Sequence, residues 1–437
     1  MPISQGDYDA RGKRKREEKK RQIHCQALWD LCKFILMSMS RENRKTVFVA
    51  MSGGVDSSVA AYLLKTGLPT GRQGYEVVGV FMRCYNIDGC AEKDAEDARR
   101  VAEHLKIPFY VWDFEEEYKK RVVEYMIEGY RKGITPNPDV MCNKEIKFGL
   151  FLKKALKMGA DYVATGHYVR LRQSANNESN TNLRITNSQF VNSQCIRYSL
   201  MAARDAQKDQ SYFLWTLTQE QLKHCLFPIG DYLKSEVREI ARKAGLPTAE
   251  KKDSQGICFL GKVALPDFLK QYIPEKKGAV LTTTGQKIGE HNGAHFYTIG
   301  QRHIGISKIK NPARGEARQG QQKSNSTPFY VAEKNTKTNT IVVAEGSDNP
   351  ALYKKEIELA NVNFINPAVS EMLHVPCSMF YVYVRVRYRQ PLANAYIMYQ
   401  GARIKLVFDR PQKFIAPGQS AVFYLKNGEL LGGGVIL

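Results

Sequence analysis

The first half of the chain alternates short apolar runs with segments of helical periodicity. The apolar runs at 46–51, 76–82 and 108–114 have the length of strands. Around them, alanine, valine and leucine recur at helical spacing, for example at 92–105. Buried strands that alternate with helices predict a parallel sheet with helices on both faces. Ligands of such sheets bind beyond the carboxyl ends of the strands.

The pattern changes after about residue 266, where short strands are separated by glycine and asparagine turns. Residues 380–388 alternate apolar side chains with Arg385 and Arg387, which predicts a strand with a basic polar face. Residues 422–430 predict a hairpin with a type I′ turn at Asn427-Gly428. We therefore expect an α/β domain, a β-rich central domain and a C-terminal β-barrel domain.

Four segments are too polar or too rich in turn residues to predict regular structure: residues 1–44, 67–74, 173–194 and 308–327. The first is basic, and the apolar stretch that follows its basic run is interrupted by Asp30 and Lys33, which argues against a secretory signal. A flexible basic extension and a later start at Met37 or Met39 are both open. The predicted domain limits, after the extension, are 45–262, 263–354 and 355–437.

Charge and cysteine content indicate the class of binding partner and the redox state of the compartment. The 65 Lys and Arg residues outnumber the 44 Asp and Glu residues, for a formal charge of +21. Such an excess favours a polyanionic partner, nucleic acid first, although charge kept only for solubility is the alternative. No apolar run reaches the ~18 residues of a membrane span. Nine scattered cysteines without a C-x-x-C pair favour a reducing cytoplasm and predict no metal site.

The segment Ser52-Gly53-Gly54-Val55-Asp56-Ser57-Ser58 follows a predicted strand and opens a predicted helix. Two glycines let successive backbone N–H groups converge on an anion, and the helix N-terminus adds positive potential. The segment lacks the Gly-Lys-Ser/Thr of a Walker loop, so transfer of the γ-phosphate is not indicated. It predicts a phosphate-binding loop.

A second candidate segment spans residues 135–144 and contains two prolines. We predict that Asn143 is the N-cap of a helix starting near Lys144. Cys142 would then lie beside Lys144 and Lys147, which lower a thiol's pKa and favour a nucleophilic thiolate. Asp139 is placed to exchange a proton. A structural buried cysteine is the alternative.

A third segment, residues 252–259, consists of polar turn residues that end in Cys258 and Phe259. A thiol on a mobile loop suits a sulfur carrier, which has to be loaded and then swing inward. The spacing alone gives little support to this role.

Together these segments resemble the tRNA-specific 2-thiouridylases, a family of the PP-loop ATP-pyrophosphatases. The resemblance covers roughly residues 46–437 and excludes the four segments without pattern. The matching motifs are SGGVDSS (52–58), NPDVMCNKEIKFG (137–149), ATGHY (164–168), KDQSYFL (208–214), FPIGDYLKSEVRE (227–239), KDSQGICFLG (252–261), FYTIGQRHIGI (296–306) and VRYRQ (386–390). The implied fold of the first domain is the adenine-nucleotide alpha-hydrolase-like fold.

The resemblance also implies site residues, cofactors and partners. Cys142 and Cys258 would be the paired catalytic cysteines, Cys258 carrying a persulfide, and Asp139 a proton donor or acceptor. ATP, with Mg²⁺, would contact Ala50, Met51, Ser52, Gly53, Gly54, Val55, Asp56, Ser57, Met82 and Gly166. The tRNA or its target base would contact Asn137, Pro138, Asp139, Lys208, Asp209, Gln210, Arg387 and Tyr388. The partners would be the anticodon arm of a tRNA and a persulfide donor.

The implied reaction is adenylation of the C2 oxygen of the wobble uridine, followed by its replacement with sulfur. The sulfur would come directly from the persulfide or as sulfide freed by Cys142, and both routes end in a Cys142–Cys258 disulfide. One alternative is another PP-loop enzyme acting on a metabolite, such as an argininosuccinate-synthase-like enzyme or an amidotransferase-type ligase. Another is a tRNA-binding protein without catalytic activity.

Overall fold

The computed structural model describes residues 44–67, 74–85, 87, 89–174, 197–252, 260–261, 263–302, 304, 327–367, 369, 379–400 and 403–437. Cys258, the predicted N-terminal extension except residue 44, and most of the predicted polar insertions lie outside these ranges. Within them, no helix combines the length and the apolar character that a membrane crossing requires.

A five-stranded parallel sheet forms the centre of the first domain, in the order β3-β2-β1-β4-β7. Its strands are β1 (Thr46–Ala50), β2 (Glu76–Arg83), β3 (Phe109–Asp113), β4 (Tyr162–Thr165) and β7 (Cys225–Leu226). A hairpin of β5 (Val169–Ser174) and β6 (Arg197–Ala202) follows β4. The strand order changes direction between β1 and β4, and open α/β sheets bind ligands at such a switch point.

Helices cover both faces of this sheet. They are α1 (Val55–Thr66), α2 (Cys90–His104), α3 (Glu115–Tyr118), α4 (Glu124–Arg131), α5 (Pro138–Met141), α6 (Leu152–Lys157), α7 (Gln219–Leu222), α8 (Lys234–Lys243) and α9 (Leu265–Lys270). π-Helices at Lys119–Val123 and Cys142–Phe151 join α3 to α4 and α5 to α6. Alternate residues of β1 enter two separate cores, Phe48 in one and Val47 and Val49 in the other. The predicted parallel sheet is confirmed.

The rest of the chain is β-rich, as predicted. A four-stranded sheet has the order β10-β11-β8-β9, with β8 (Gly278–Thr282), β9 (Lys287–His291), β10 (Phe329–Asn335) and β11 (Thr340–Glu345). Six strands then close into an antiparallel barrel because β12 pairs with both β15 and β17. They are β12 (Tyr353–Phe364), β13 (Met379–Arg385), β14 (Ala393–Gln400), β15 (Arg403–Lys413), β16 (Ser420–Tyr424) and β17 (Glu429–Ile436). The first domain's β6 pairs with β17 and so joins the barrel sheet.

β16 and β17 form the predicted hairpin, but the predicted type I′ turn is wrong. That turn needs positive φ at both central residues. Gly428 has φ +84°, whereas Asn427 is not among the described residues with positive φ. The N–H of Gly428 donates to the carbonyl of Leu425, which closes a turn that ends with Gly428 in the left-handed region. This arrangement is a turn that ends in a left-handed glycine, and a separate shift of register lies further along the hairpin, between Phe423 and Tyr424.

The alternation predicted at 380–388 is present, with Val382 and Val384 buried and Arg385 on the other face, but the strand is shorter than predicted. β13 ends at Arg385, and Arg389 has φ +64° in the turn that follows. Arg385 forms an ion pair of 2.7 Å with Asp209 of the first domain. Arg387 donates to the carbonyls of Phe414 and Ile299. Arg385 and Arg387 are therefore engaged within the protein, by an ion pair and by backbone carbonyls.

Candidate active site

The glycine-rich loop between β1 and α1 is held in one conformation by its own residues. Gly53 has φ +69°, and a Cβ there would lie 2.3 Å from the carbonyl oxygen of Asp94, so only glycine fits. The hydroxyl of Ser57 accepts from the N–H of Ser52 at 3.1 Å and donates to the carbonyl of Gly54 at 3.1 Å. The conformation of the loop is thus held by its own hydrogen bonds and by the closeness of Asp94.

This loop has the features of a phosphate site. Gly54 is the N-cap of α1, and among the described residues no side chain caps that helix end. The N–H groups of a helix's first turn have no partner within the helix, and the helix dipole makes that end positive. A Cβ on Gly54 would meet only the Ser52 hydroxyl, at 3.4 Å, so the space beside the loop is open. Residues 52–57 therefore fit an ATP phosphate group.

The chemistry of the loop also fits magnesium bound through phosphate. Among the described residues, no cluster of three or more His, Cys, Asp or Glu side chains could hold a metal ion by itself. Mg²⁺ usually takes one or two carboxylates and fills its shell with water and substrate phosphates. Asp56, in the first turn of α1, is a carboxylate of this loop.

The segment after β4 lies directly against this loop. β4 pairs with β1, with Thr165 beside Ala50. A Cβ on Gly166 would lie 2.6 Å from the backbone nitrogen of Ser57, so the two backbones are in close contact. The Tyr168 hydroxyl donates to Asp56 at 2.8 Å. Gly166, a predicted ATP contact, is therefore next to the loop, whereas Met82 lies partly buried near the end of β2.

The helical segment that carries Cys142 begins earlier than predicted. Asn137 is the N-cap, accepting from the N–H of Val140 at 3.2 Å, and Pro138 is the first helical residue. The prediction that Asn143 caps the helix is wrong, because Asn143 lies inside a continuous helix and donates instead to the carbonyl of Phe213 at 3.4 Å. Cys142 begins the π-helix and is 6% exposed. π-Helical turns are rare in proteins, and those that occur are often found at functional sites.

A lysine on the same helix acts on two groups of the site. Burial raises the pKa of Asp139 above its usual value, and the positive charge of Lys147 opposes this rise. Burial also holds the pKa of His167 well below its usual value, and Lys147 adds to that effect. The ring of His167 lies 6.0 Å from the ring of Phe148. The Cys142 helix and the 165–168 segment therefore meet, which brings Asp139 and the glycine loop to one region.

Of the residues predicted to contact tRNA in the 208–210 segment, Asp209 is buried, whereas Lys208 and Gln210 are partly buried. Asp209 is 2% exposed and accepts from Ala203 N and Ser211 N besides its ion pair with Arg385. The Gln210 side chain accepts from Tyr168 N at 2.9 Å. The 208–210 segment therefore contacts the 165–168 segment, which lies against the glycine loop. Lys208 is partly buried near the same turn.

Tyr388 lies beside the predicted tRNA segment of the first domain. Its ring is 4.5 Å from that of Phe213, and the Phe213 carbonyl accepts from Asn143. The guanidinium of Arg389 lies 5.1 Å from the centre of the Tyr388 ring. Tyr388 therefore joins the barrel to the helix of Cys142, while the predicted tRNA contacts of Arg387 and Tyr388 stay predictions.

Two residues of the site had no role in the sequence analysis. The Lys234 ammonium donates to both carboxylate oxygens of Asp56, at 2.7 and 2.9 Å. The side-chain amide of Gln419 donates to the carbonyls of Thr135 and Pro136, at 2.9 and 3.2 Å. Lys234 falls in the motif at 227–239, so the motif was a usable signal. Gln419 has no comparable motif, and only the folded chain shows its contact.

Three family models match the chain in succession. They are described as a tRNA methyl transferase HUP domain at residues 45–262, a tRNA methyl transferase PRC-barrel domain at 266–345 and an aminomethyltransferase beta-barrel domain at 354–436. Among solved structures, a U34-tRNA thiolase, NcsA, from Methanococcus maripaludis aligns with a TM-score of 0.31 and 16% identity over 56% of this chain and 74% of that chain. That likeness is too distant to carry an argument.

Curated relatives are much closer. The protein named tRNA-specific 2-thiouridylase MnmA of Streptococcus thermophilus strain LMD-9 is 42% identical over 90% of this chain and 96% of its own length. Those of the same name from Streptococcus pyogenes strain NZ131 and Streptococcus uberis are 41% and 42% identical, each over 91% of this chain and 96% of their own length. This chain therefore belongs to the tRNA-specific 2-thiouridylase family.

Proposed function

We propose that this chain converts the wobble uridine of tRNA to 2-thiouridine, using ATP and a persulfide carried on Cys258. The observation that carries the proposal is the meeting of a phosphate-binding loop with the helix of Cys142, through the contact of His167 with Phe148. The names of the relatives support the reaction. The reducing cytoplasm predicted from the cysteines suits persulfide chemistry.

The first step activates the base. The C2 oxygen of uracil is a poor leaving group, so it attacks the α-phosphorus of ATP, and pyrophosphate departs with the electrons of the broken P–O bond. The N–H groups of residues 52–57 face the phosphates and stabilise the charge that develops there. Bound magnesium supplies further positive charge on the phosphates. Asp139, which keeps its proton to a higher pH than an exposed carboxyl, exchanges a proton with the base.

The second step brings in sulfur. The terminal sulfur of the Cys258 persulfide adds to C2, and AMP leaves with the original oxygen. The Cys142 thiolate then attacks the Cys258 sulfur and breaks the S–S bond, which releases 2-thiouridine and leaves a Cys142–Cys258 disulfide. In the alternative order, Cys142 attacks first and frees sulfide, which adds to C2. Either way, a dithiol reductant and a persulfide donor must reset the pair.

The tRNA is held by charge and by the segments around Cys142. A formal charge of +21 favours binding of a polyanion. Enzymes that modify a base take it out of the stack, so the wobble uridine is turned into the site. We assign the base to Asn137, Pro138 and Asp139. The neighbouring tRNA contacts are assigned to Lys208–Gln210 and to Arg387 and Tyr388.

The test is mass spectrometry of tRNA nucleosides after incubation with ATP, Mg²⁺, a reductant and a persulfide donor. Wild type is expected to replace one oxygen of uridine with sulfur and to form AMP. Cys142→Ser and Cys258→Ser are expected to form no thiouridine. Cys225→Ser is the control, because Cys225 is buried, its burial raises the pKa of the thiol, and its Sγ donates to Gln221 O at 3.1 Å, a bond that a hydroxyl can keep.

Two results would favour the alternatives. Retained activity on a small metabolite after both cysteines are changed to serine would point to another PP-loop enzyme. Binding of tRNA that is unaffected by ATP, with no AMP formed, would point to a tRNA-binding protein without catalytic activity.

A further inference from the structure

The loop proposed to bind ATP phosphates contains no basic residue of its own. From Ala50 to Ser58 the sequence has no Lys, Arg or His. A reaction that expels pyrophosphate builds negative charge on the leaving group, and fixed cations are a common means of stabilising it. Lys234, 178 positions after Asp56 in the chain, places its ammonium 2.7 Å from one carboxylate oxygen of Asp56. A distant segment therefore supplies the positive charge that the loop lacks.

The position of this ammonium is fixed by the fold. Lys234 is the first residue of α8, and its backbone N–H donates to the carboxylate of Asp205 at 3.0 Å. Val237 and Ala241 of α8 belong to the same apolar core as Val59 of α1. Because α8 packs with α1 in this core, the lysine is carried to the N-terminal end of α1, where the first-turn N–H groups are also directed.

A purely stabilising role is a weak explanation for the ion pair. The Lys234 side chain is 12% exposed and that of Asp56 is 32% exposed, so both charges have lost much of their hydration. The cost of removing charges from water can equal or exceed the attraction between them. Asp56 has a second donor in the Tyr168 hydroxyl. The positive charge of Lys234 therefore suits phosphate binding better than stabilisation of the fold.

We propose that Lys234 is a catalytic residue that binds the ATP phosphates beyond the α-phosphate and stabilises the departing pyrophosphate. The assignment rests on the proposed function. Without nucleotide, Asp56 holds the ammonium. With nucleotide, the ammonium turns to the phosphate oxygens. As the uridine oxygen bonds to the α-phosphorus, the bridging P–O bond breaks, its electron pair goes to pyrophosphate, and Lys234 neutralises part of the added charge.

The test compares Lys234→Met and Lys234→Arg with wild type in the full chain, measuring AMP and pyrophosphate formed with tRNA at varied ATP concentrations. Lys234→Met is expected to lower kcat/KM for ATP by about 10²–10³-fold, the typical effect of removing one group that stabilises transition-state charge. Lys234→Arg is expected to recover part of the loss, because the charge is kept. Lys243→Met is the control, since Lys243 is at the other end of α8, is 75% exposed and pairs with Glu239.

A second comparison separates direct contact from an effect through Asp56. Asp56→Asn and the double variant Asp56→Asn/Lys234→Met both remove the carboxylate charge, so neither leaves it unpaired. A further loss of kcat/KM for ATP in the double variant supports phosphate contact. Equal kcat/KM for ATP in Asp56→Asn and the double variant would overturn the proposal. So would wild-type kcat/KM for ATP in Lys234→Met. If wild type itself forms no AMP or thiouridine, the proposed function fails instead.

Discussion

Asp139 shows how its surroundings can give a residue a new chemical role. Burial raises the pKa of its carboxyl from the ordinary 3.8, and the charge of Lys147 only partly offsets that rise. A carboxyl that keeps its proton to higher pH is better suited to exchange that proton with a base. The same burial has an energetic cost when the carboxyl is ionised, so the residue is suited to chemistry more than to stability.

We expect Asp139→Asn to lower thiouridine formation by about 10²–10⁴-fold, the usual contribution of a general acid or base. The free energy of unfolding of this variant should rise rather than fall. A folded-state pKa above the unfolded value means that folding takes up a proton between the two values, so wild-type stability falls as pH rises through that window. Asn cannot ionise, so the variant should lose less stability than wild type as the pH rises above the ordinary carboxyl pKa of 3.8.

Urea unfolding at several pH values, with nucleoside mass spectrometry at pH 7, measures both effects. Asp267→Asn is the control, because the Asp267 side chain is 68% exposed. A variant that is less stable than wild type at every pH would show that Asp139 is mainly a structural hydrogen-bonding group.

At the scale of elements, the helix that carries Cys142 depends on its first residues. Asn137 caps it, Pro138 sets the first turn, and the π-helix begins at Cys142. A proline at the first helical position loses no hydrogen bond, because that N–H has no partner within a helix. The cap and the proline together fix the start of the helical segment that carries Asp139 and Cys142.

Asn137→Ala should lower the free energy of unfolding by about 1 kcal/mol, the typical cost of losing an N-cap. Asn137→Asp keeps a capping oxygen and adds negative charge near the positive helix end, so its loss should be much smaller. If Asn137 also contacts the base, both variants lose thiolation, including the stable one. Chemical unfolding and thiouridine yield distinguish the two roles, and equal destabilisation by both variants would contradict the capping role.

The sequence predicted the strands and helices of the first domain because apolar periodicity reports burial directly. It also predicted the glycine loop, since Ser52–Ser58 are contiguous. It misplaced the helix cap because Asn137 and Asn143 both suit that position, and only the packed chain shows that Asn143 lies within the helix. It could not place Lys234 beside Asp56, because that contact depends on α8 packing with α1.

At the scale of the whole molecule, the barrel stabilises the first domain through buried polar contacts. Trp215 and Tyr212 of the first domain hydrogen-bond to Ser420 of β16. The Asp209–Arg385 pair lies at the same boundary, with the aspartate side chain 1% exposed. Arg385 also lies over the ring of Tyr424. Polar contacts at this boundary are therefore buried.

Arg385→Met should lower the free energy of unfolding by about 3–5 kcal/mol, because it leaves the buried Asp209 carboxylate without its partner. Arg403→Met is the matched control: the Arg403–Glu358 pair is exposed, and loss of such a pair costs at most about 1 kcal/mol. Denaturant unfolding of both variants provides the comparison. Similar losses would mean that the boundary pair contributes no more than a surface pair.

The contact between the barrel and residues 135–136 has a consequence for biosynthesis. The Thr135 N–H donates to the carbonyl of Pro417 at 2.8 Å, and Gln419 holds the next two carbonyls. A ribosome makes Pro417 and Gln419 long after Cys142, and domains fold in order of synthesis. The nascent chain therefore carries Cys142, the proposed nucleophile, on an incompletely supported segment until translation has passed residue 419.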